Sequence, residues 1–455
     1  VRSPRTRLLL AVATFAAMIA GAATAQIGLP GPIGGLPSSP TSSLPSSLRD
    51  LPGVRTADDL ARGAAGAVLD DVATAPRRLQ SLIRGSRGAL QADALGWPVV
   101  AGELVVMDLS DAARAQALAA GFTLVREERL EGLDLTVVVL SPPRRLSLER
   151  AAARLRTLAP NAGVTLNHVL TPAGAPVSMT VSMTVSMTVS MAASMAVSVA
   201  ASPVMPGPAA RLGLIDTGIE ATHPALAGSE IEQRGFAGPA RMGDHGTAVA
   251  SLMAGSHGVF RGGAPGASLR VADIYGGQPA GGSSTALAAA LSWMVETRTA
   301  VVNVSLVGPR NPLVERAVAA AQSRGLILVA AVGNDGPAAP PLYPAAYPGV
   351  IGVTAVNARD QALPEAARGD QVDFAAPGAD MAAAGRAGSF VSVRGASFAS
   401  PLVAGLIARD GLSALTASAR DLGARGRDPV YGSGLVGAGL RTPPAAVGAR
   451  GRLSR

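Results

Sequence analysis

Four side chains in this sequence have the types and surroundings that acyl-transfer chemistry needs. His245 lies in Gly243-Asp-His-Gly-Thr-Ala-Val-Ala-Ser-Leu252, at the mouth of a helical stretch. The positive end of a helix disfavours a resident cation, which suits a neutral imidazole ready to accept a proton. Asp216 closes the apolar run Leu212-Gly-Leu-Ile and is followed by Thr-Gly. A carboxylate there points into the crevice at the carboxyl end of a strand. Ser397 sits in Arg394-Gly-Ala-Ser-Phe-Ala-Ser-Pro-Leu-Val-Ala-Gly405. Its small neighbours leave the hydroxyl open, and the helix that begins there brings backbone N–H groups around any oxyanion formed beside it. Asn334, just past the buried-type run Leu328–Val332, carries an amide able to donate to the same oxyanion. Each residue also has a plainer reading. His245 reads as a capping or solvated histidine, Asp216 as a turn or cap, Ser397 as a plain N-cap, and Asn334 as a turn residue before Asp-Gly.

Arg211 to about Ala438, the stretch that contains all four, alternates short apolar strands with helical stretches. The strands are read at Leu212–Ile215, Leu269–Ile274, Val301–Leu306, Leu326–Val332 and Val350–Val356; the helices fall at about His245–Met253, Ser284–Glu296, Pro312–Ser323 and Ser397–Ala408. That alternation predicts an α/β fold, a doubly wound, mainly parallel sheet with helices on both faces. Upstream, Gly102–Leu170 reads β-α-β-β-α-β. Its strands lie at Glu103–Asp108, Phe122–Arg126, Leu133–Leu140 and Val164–Val169, and its helices follow Ser110 and Ser147 as N-caps. The order suits a small ferredoxin-like sandwich.

Composition narrows the chemistry. The 455 residues are 48% hydrophobic and only 3% aromatic, with a net charge of +8. The length allows two or three domains, and the apolar content excludes a wholly disordered chain. There is no cysteine, and all 39 basic residues are arginine. Disulfides, thiolate zinc sites, cysteine and lysine nucleophiles and a Walker-type phosphate loop are therefore excluded. Few aromatics and no arginine cluster argue against nucleic acid as a partner. Only four histidines exist, at 168, 223, 245 and 257, so any histidine mechanism uses one of them.

Arg2, Arg5 and Arg7 precede the 13-residue apolar run Leu8–Ala20, and Ala23-Thr-Ala25 follows. The pattern is that of an export signal cut after Ala25; the run is short for a membrane span, so no stable span is expected after cleavage. The expected organisation is a signal at 1–25, a Pro/Gly/Ser-rich spacer and helical segment at 26–95 (helical spacing over Thr56–Ala89), and the small domain at 96–172. A low-complexity Val-Ser-Met-Thr linker at 173–208, the large domain at 209–440 and a basic tail at 441–455 complete it.

The order Asp216…His245…Ser397, with each residue at a strand end or helix start, resembles the subtilase family of subtilisin-like serine peptidases. The likeness runs from about Leu212 to Gly437 and includes Ile215-Asp-Thr-Gly-Ile, His245-Gly-Thr, Val302-Asn-Val-Ser-Leu, Gly333-Asn and Gly395-Ala-Ser-Phe-Ala-Ser-Pro. The resemblance implies Ser397 as nucleophile, His245 as general base then acid, Asp216 as its orienter, and Asn334 with the Ser397 N–H as oxyanion hole. It implies that Ser305, Leu306 and Val307 pair with the backbone of a polypeptide substrate that Gly281 and Gly282 face across the cleft. It also implies that the small domain is a propeptide, an intramolecular inhibitor and folding aid, with a processing site in or near the linker and His168 in a structural role. The protein would be an exported, self-processing serine endopeptidase, secreted or periplasmic; the alternative is an inactive or prosegment-locked binding protein on the same fold. Three positions depart from the family. Val307 replaces a glycine on the wall of the primary specificity pocket, which predicts a narrowed pocket and smaller preferred side chains. Ala248 and Ala396 replace a usual histidine and threonine. No cofactor is predicted; calcium is possible but no site is identifiable, since the loop Gly255–Gly266 lacks an Asn/Asp-rich stretch. His223 and His257 read as turn and solvated residues.

Overall fold

The computed structural model describes residues 77–173 and 211–454. The signal-like segment, most of the spacer and the Val-Ser-Met-Thr repeat lie outside the described residues. In the described part of the Thr56–Ala89 stretch, a helix occupies 77–85.

The small domain forms as its alternating pattern dictates. Its strands are β1 (Leu90–Ala92), β2 (Pro98–Met107), β3 (Thr123–Leu130), β4 (Leu135–Ser141) and β5 (Gly163–His168). They make one antiparallel sheet in the order β1-β2-β4-β3, with β5 also on β2. Ser110 accepts from the Ala113 N–H and caps the helix Asp111–Ala119, while Ser147 accepts from Arg150 and caps Leu148–Leu158. The Glu131-Gly132 turn is a short 3-10 helix, Glu131–Leu133, that docks on the large domain. Gly132 N–H donates to Ser292 Oγ at 2.9 Å and Glu296 Oε1 at 3.1 Å. A Cβ at Gly132 would stand 2.2 Å from the Ser292 carbonyl, so only glycine fits this approach.

After β5 the chain adds a two-residue strand, β6 (Thr171–Pro172). The large domain follows with β7 (Leu212–Asp216), β8 (Ile231–Gly235), the small hairpin β9–β10 (Ser256–His257, Phe260–Arg261), β11 (Leu269–Asp273), β12 (Val301–Val304), β13 (Leu306–Val307), β14 (Ile327–Ala331), β15 (Ile351–Val356) and β16 (Phe374–Pro377). Seven of these form one parallel sheet in the order β16-β15-β14-β12-β7-β11-β8. The strands β7, β11, β12 and β15 are buried along their whole length because helices cover both faces. The helices are Asp244–Ala254, Ser284–Glu296, Pro312–Ser323 and Ala396–Asp410. From β7 the chain winds one way to β8 and β11 and the other way to β12 and beyond, so a crevice opens at the carboxyl ends of β7 and β12. β8 and β16 extend the sheet beyond the strands read from sequence, and the expected strand Val301–Leu306 is two strands broken at Ser305.

Candidate active site

The crevice collects the residues singled out above. Asp216, the last residue of β7, is fully buried. His245, in the first turn of its helix, brings Nδ1 to 2.9 Å from both Asp216 carboxylate oxygens. Asp216 Oδ1 also accepts from the Thr217 N–H at 2.7 Å. The carboxylate therefore fixes the proton on Nδ1 and turns Nε2 toward the cleft. Nε2 is buried and has no hydrogen-bond partner among the described residues. The ring is braced by Phe398, centroid to centroid 5.4 Å.

Ser397 opens the Ala396–Asp410 helix and is fully buried. Its hydroxyl does not donate to His245. It lies 3.0 Å from the carbonyl oxygen of Ala173 and 3.3 Å from that of Ser305. Asn334 follows β14 across the crevice. Its Oδ1 accepts from the Ala396 N–H at 3.0 Å, which fixes the amide with Nδ2 outward, and Nδ2 donates to the same Ala173 carbonyl. One peptide carbonyl of the chain's own small-domain tail is thus held between the Ser397 hydroxyl and the Asn334 amide.

The rest of that tail runs through the cleft as an extended strand. Leu170 N–H donates to Gly282 O at 2.8 Å, and Tyr275 Oη donates to Leu170 O at 3.0 Å. On the opposite side β6 pairs antiparallel with β13, Thr171 with Val307 and Pro172 with Leu306, and Ala173 N–H donates to Ser305 O at 3.0 Å. Gly282, Ser305, Leu306 and Val307 therefore line the strand. Gly281 shapes the turn beside it, donating to Gln278 O at 3.0 Å. The Ser305 hydroxyl accepts from Asn303 Nδ2 at 2.8 Å and donates to Ser397 O at 3.0 Å, tying β12 to the Ser397 helix.

Tyr275, Leu170 and Ala173 were not singled out from the sequence. Burial, with Asp216 and Asp273 nearby, pushes the Tyr275 phenol well above its usual range, so it stays a neutral donor.

The other histidines lie elsewhere. His223 is a turn residue, as read, but a buried one: Nδ1 accepts from the Ala225 N–H at 3.0 Å and Nε2 lies 2.9 Å from Ser389 O. His257 is exposed, 5.9 Å from the Phe390 ring centroid. His168 sits where the small domain meets the large one. Asn311 Oδ1 caps the Pro312–Ser323 helix, accepting from Leu313 N–H at 2.9 Å, so Nδ2 must be the atom 2.9 Å from His168 Nδ1. His168 Nε2–H then donates to Asp93 at 3.1 Å. Burial lowers the His168 pKa, against the opposing pull of Asp93.

Among the described residues, no group of three or more His, Asp or Glu side chains is placed to hold a metal ion. Nor, among them, is any single helix long and apolar enough to cross a membrane; the Ala396–Asp410 and Leu412–Ser418 helices pass by composition only as a pair bent by 116°.

A sequence profile of the Subtilase family matches residues 207–412. Thermitase of Thermoactinomyces vulgaris is 34% identical over 223 residues, which cover 46% of this chain and 78% of that protein. Subtilisin E of Bacillus subtilis (strain 168) is 32% identical over 212 residues, 44% of this chain and 55% of that one. The minor extracellular protease Epr of the same strain is 32% identical over 206 residues, and the chain spans only 32% of its length. Among solved structures, fervidolysin from Fervidobacterium pennivorans, a keratinolytic enzyme related to subtilisin, superposes with a TM-score of 0.58 at 20% identity, covering 76% of this chain and 61% of that one. At that identity the likeness is one of fold.

Proposed function

The chain belongs to the subtilase family, the subtilisin-like serine peptidases, and from that premise we propose that it is an exported endopeptidase made as a self-processing zymogen. In this reading Ser397 is the nucleophile, His245 the general base and then acid, Asp216 the orienting carboxylate and Asn334 the oxyanion donor. The observation that carries it is the single carbonyl of Ala173, shared by Ser397 Oγ and Asn334 Nδ2 beside an imidazole whose Nδ1 is gripped by Asp216.

The steps follow from these groups. The Ser397 hydroxyl turns toward His245 Nε2, gives up its proton there and attacks the carbonyl carbon. Charge developing on the carbonyl oxygen meets the Asn334 amide, already aimed because its own oxygen is occupied by Ala396 N–H. Asp216 stabilises the imidazolium without taking the proton. His245 then protonates the leaving amine, and water hydrolyses the acyl-enzyme by the same relay. Substrate binds by strand addition between Gly282 and Ser305–Val307, the place the small-domain tail fills in this structure. While it does so, the small domain acts as an inhibitor. Export rests on the basic and apolar Arg2–Ala25 segment.

The test compares the full chain with Ser397→Ala by intact mass over time and by fluorophosphonate labelling. Self-cleavage and a single label on the wild type, with neither on the variant, is the expected result. If the wild type also stays whole and unlabelled, the fold serves binding rather than catalysis.

A further inference from the structure

Ala173 is fixed at both ends. Its N–H is on Ser305 O, and its carbonyl is between Ser397 Oγ and Asn334 Nδ2. Its methyl group is fully buried, in the same apolar cluster as Val307 and Leu342. Those two side chains converge on Gly333, the residue before Asn334. Leu342 Cδ1 lies 2.8 Å and Val307 Cγ1 3.7 Å from where a Cβ on Gly333 would stand. Leu342 is itself 2% exposed and packed, so it has no free space to retreat into. The space beside Gly333, next to the Asn334 that holds the Ala173 carbonyl, is therefore filled by protein, and a side chain much larger than methyl at 173 would overpack the cluster that encloses it. Three residues upstream the space is larger: Leu170 is buried, its Cγ 3.1 Å from a Cβ built on Gly308.

From this geometry we infer that the chain cuts its own backbone between Ala173 and Gly174, and that Val307 and Leu342 restrict the mature peptidase to substrates with an alanine-sized residue at the cut. The inference rests on the peptidase reading above. In the first cut, Ser397 Oγ forms an ester with the Ala173 carbonyl carbon while its proton passes to His245. The Ala173–Gly174 C–N bond breaks, and the Gly174 amine leaves with that proton. One water molecule then hydrolyses the ester, giving the Ala173 carboxylate and free Ser397. The Ala173 end that results remains complementary to the cleft, so the product is held as the inhibitor. Substrates follow the same template: an extended segment with a bulky aliphatic residue three positions before the small one.

The full chain tests this directly. N-terminal sequencing of the large fragment should return Gly174. On the processed protein, Leu-Thr-Pro-Ala-p-nitroanilide should be turned over at least about 100-fold better in kcat/KM than Leu-Thr-Pro-Phe-p-nitroanilide. Ala173→Phe should slow self-cleavage by a similar factor, and adding Val307→Gly with Leu342→Gly should restore it, which separates a pocket effect from a folding defect. A chain that takes the fluorophosphonate label yet begins elsewhere, or prefers the phenylalanine peptide, keeps the peptidase reading and overturns this inference. A chain that neither labels nor cleaves either peptide overturns the reading, and this inference falls with it.

Discussion

In the large sheet every residue of β7, β11, β12 and β15 is buried, under helices of the same domain. The small sheet is covered differently on its two faces. Leu104, Val106, Val138 and Leu140 pack on its own two helices. Their neighbours Val105, Met107, Val137 and Val139 point the other way and join a cluster built from the large domain's Ser284–Glu296 and Pro312–Ser323 helices. The large domain owns its core, whereas the small one borrows half of its core. The difference matches the division of labour. Atoms that must hold position to a fraction of an ångström stand on the self-sufficient sheet, and the small domain, which the proposed zymogen would shed, draws much of its stability from the surface it covers.

If that contrast is right, changes in the large domain should act on chemistry and changes in the small one on retention. The largest effect is expected for Asn334→Ala, a loss of about 100- to 1000-fold in kcat with little change in KM on a small peptide, read by steady-state kinetics. That size is carried over from subtilisin, whose own asparagine is the standard case. Next comes Leu133→Ala, which removes a 3% exposed side chain from the shared cluster. It should weaken the hold of the cleaved small domain on the peptidase by about 2 kcal/mol, roughly 30-fold in Kd, and leave kcat unchanged. An equal effect on kcat would break the contrast. The smallest effect concerns pH. Released from the interface, His168 takes up a proton near its ordinary 6.5, while burial lowers that pKa in the complex. The free form then binds more protons, so retention should be complete above 6.5 and weaken as pH falls below it, by at most a factor of about 10 per pH unit. Protonation also sets an Nδ1–H against the Asn311 amide donor. Replacing His168 with glutamine should flatten the profile in that window.

Much of the large domain was legible because buried parallel strands are continuous apolar runs and its helices carry their own start signals. Ser283 and Asn311 cap helices whose ends match those read from sequence. β8 was not legible: Ile231-Glu-Gln-Arg-Gly is an edge strand with one apolar residue. Val301–Leu306 read as one strand because composition does not reveal that Ser305 turns its carbonyl to Ala173. The motifs around Asp216, His245, Ser397 and Asn334 stood out singly as turns or caps and gained meaning only from their order along the chain. Leu170–Ala173 gave no signal, since four residues show no period and a proline argues against a strand. Leu342 was likewise silent; its role comes from how close it lies to Gly333.

The cleft grips four consecutive residues as a strand, yet only Leu170 and Ala173 are buried there, Thr171 and Pro172 being half-exposed. Main-chain bonds recognise no particular protein, and two side chains of common type recognise little more. For a folded target the scarce commodity is an extended stretch free of its own sheet. The rate of its destruction then follows the target's own opening equilibrium wherever that opening is fast compared with cutting. On the proposed reading, which folded proteins this chain would cut is decided chiefly by their stability, with the residue at the cut as a second filter.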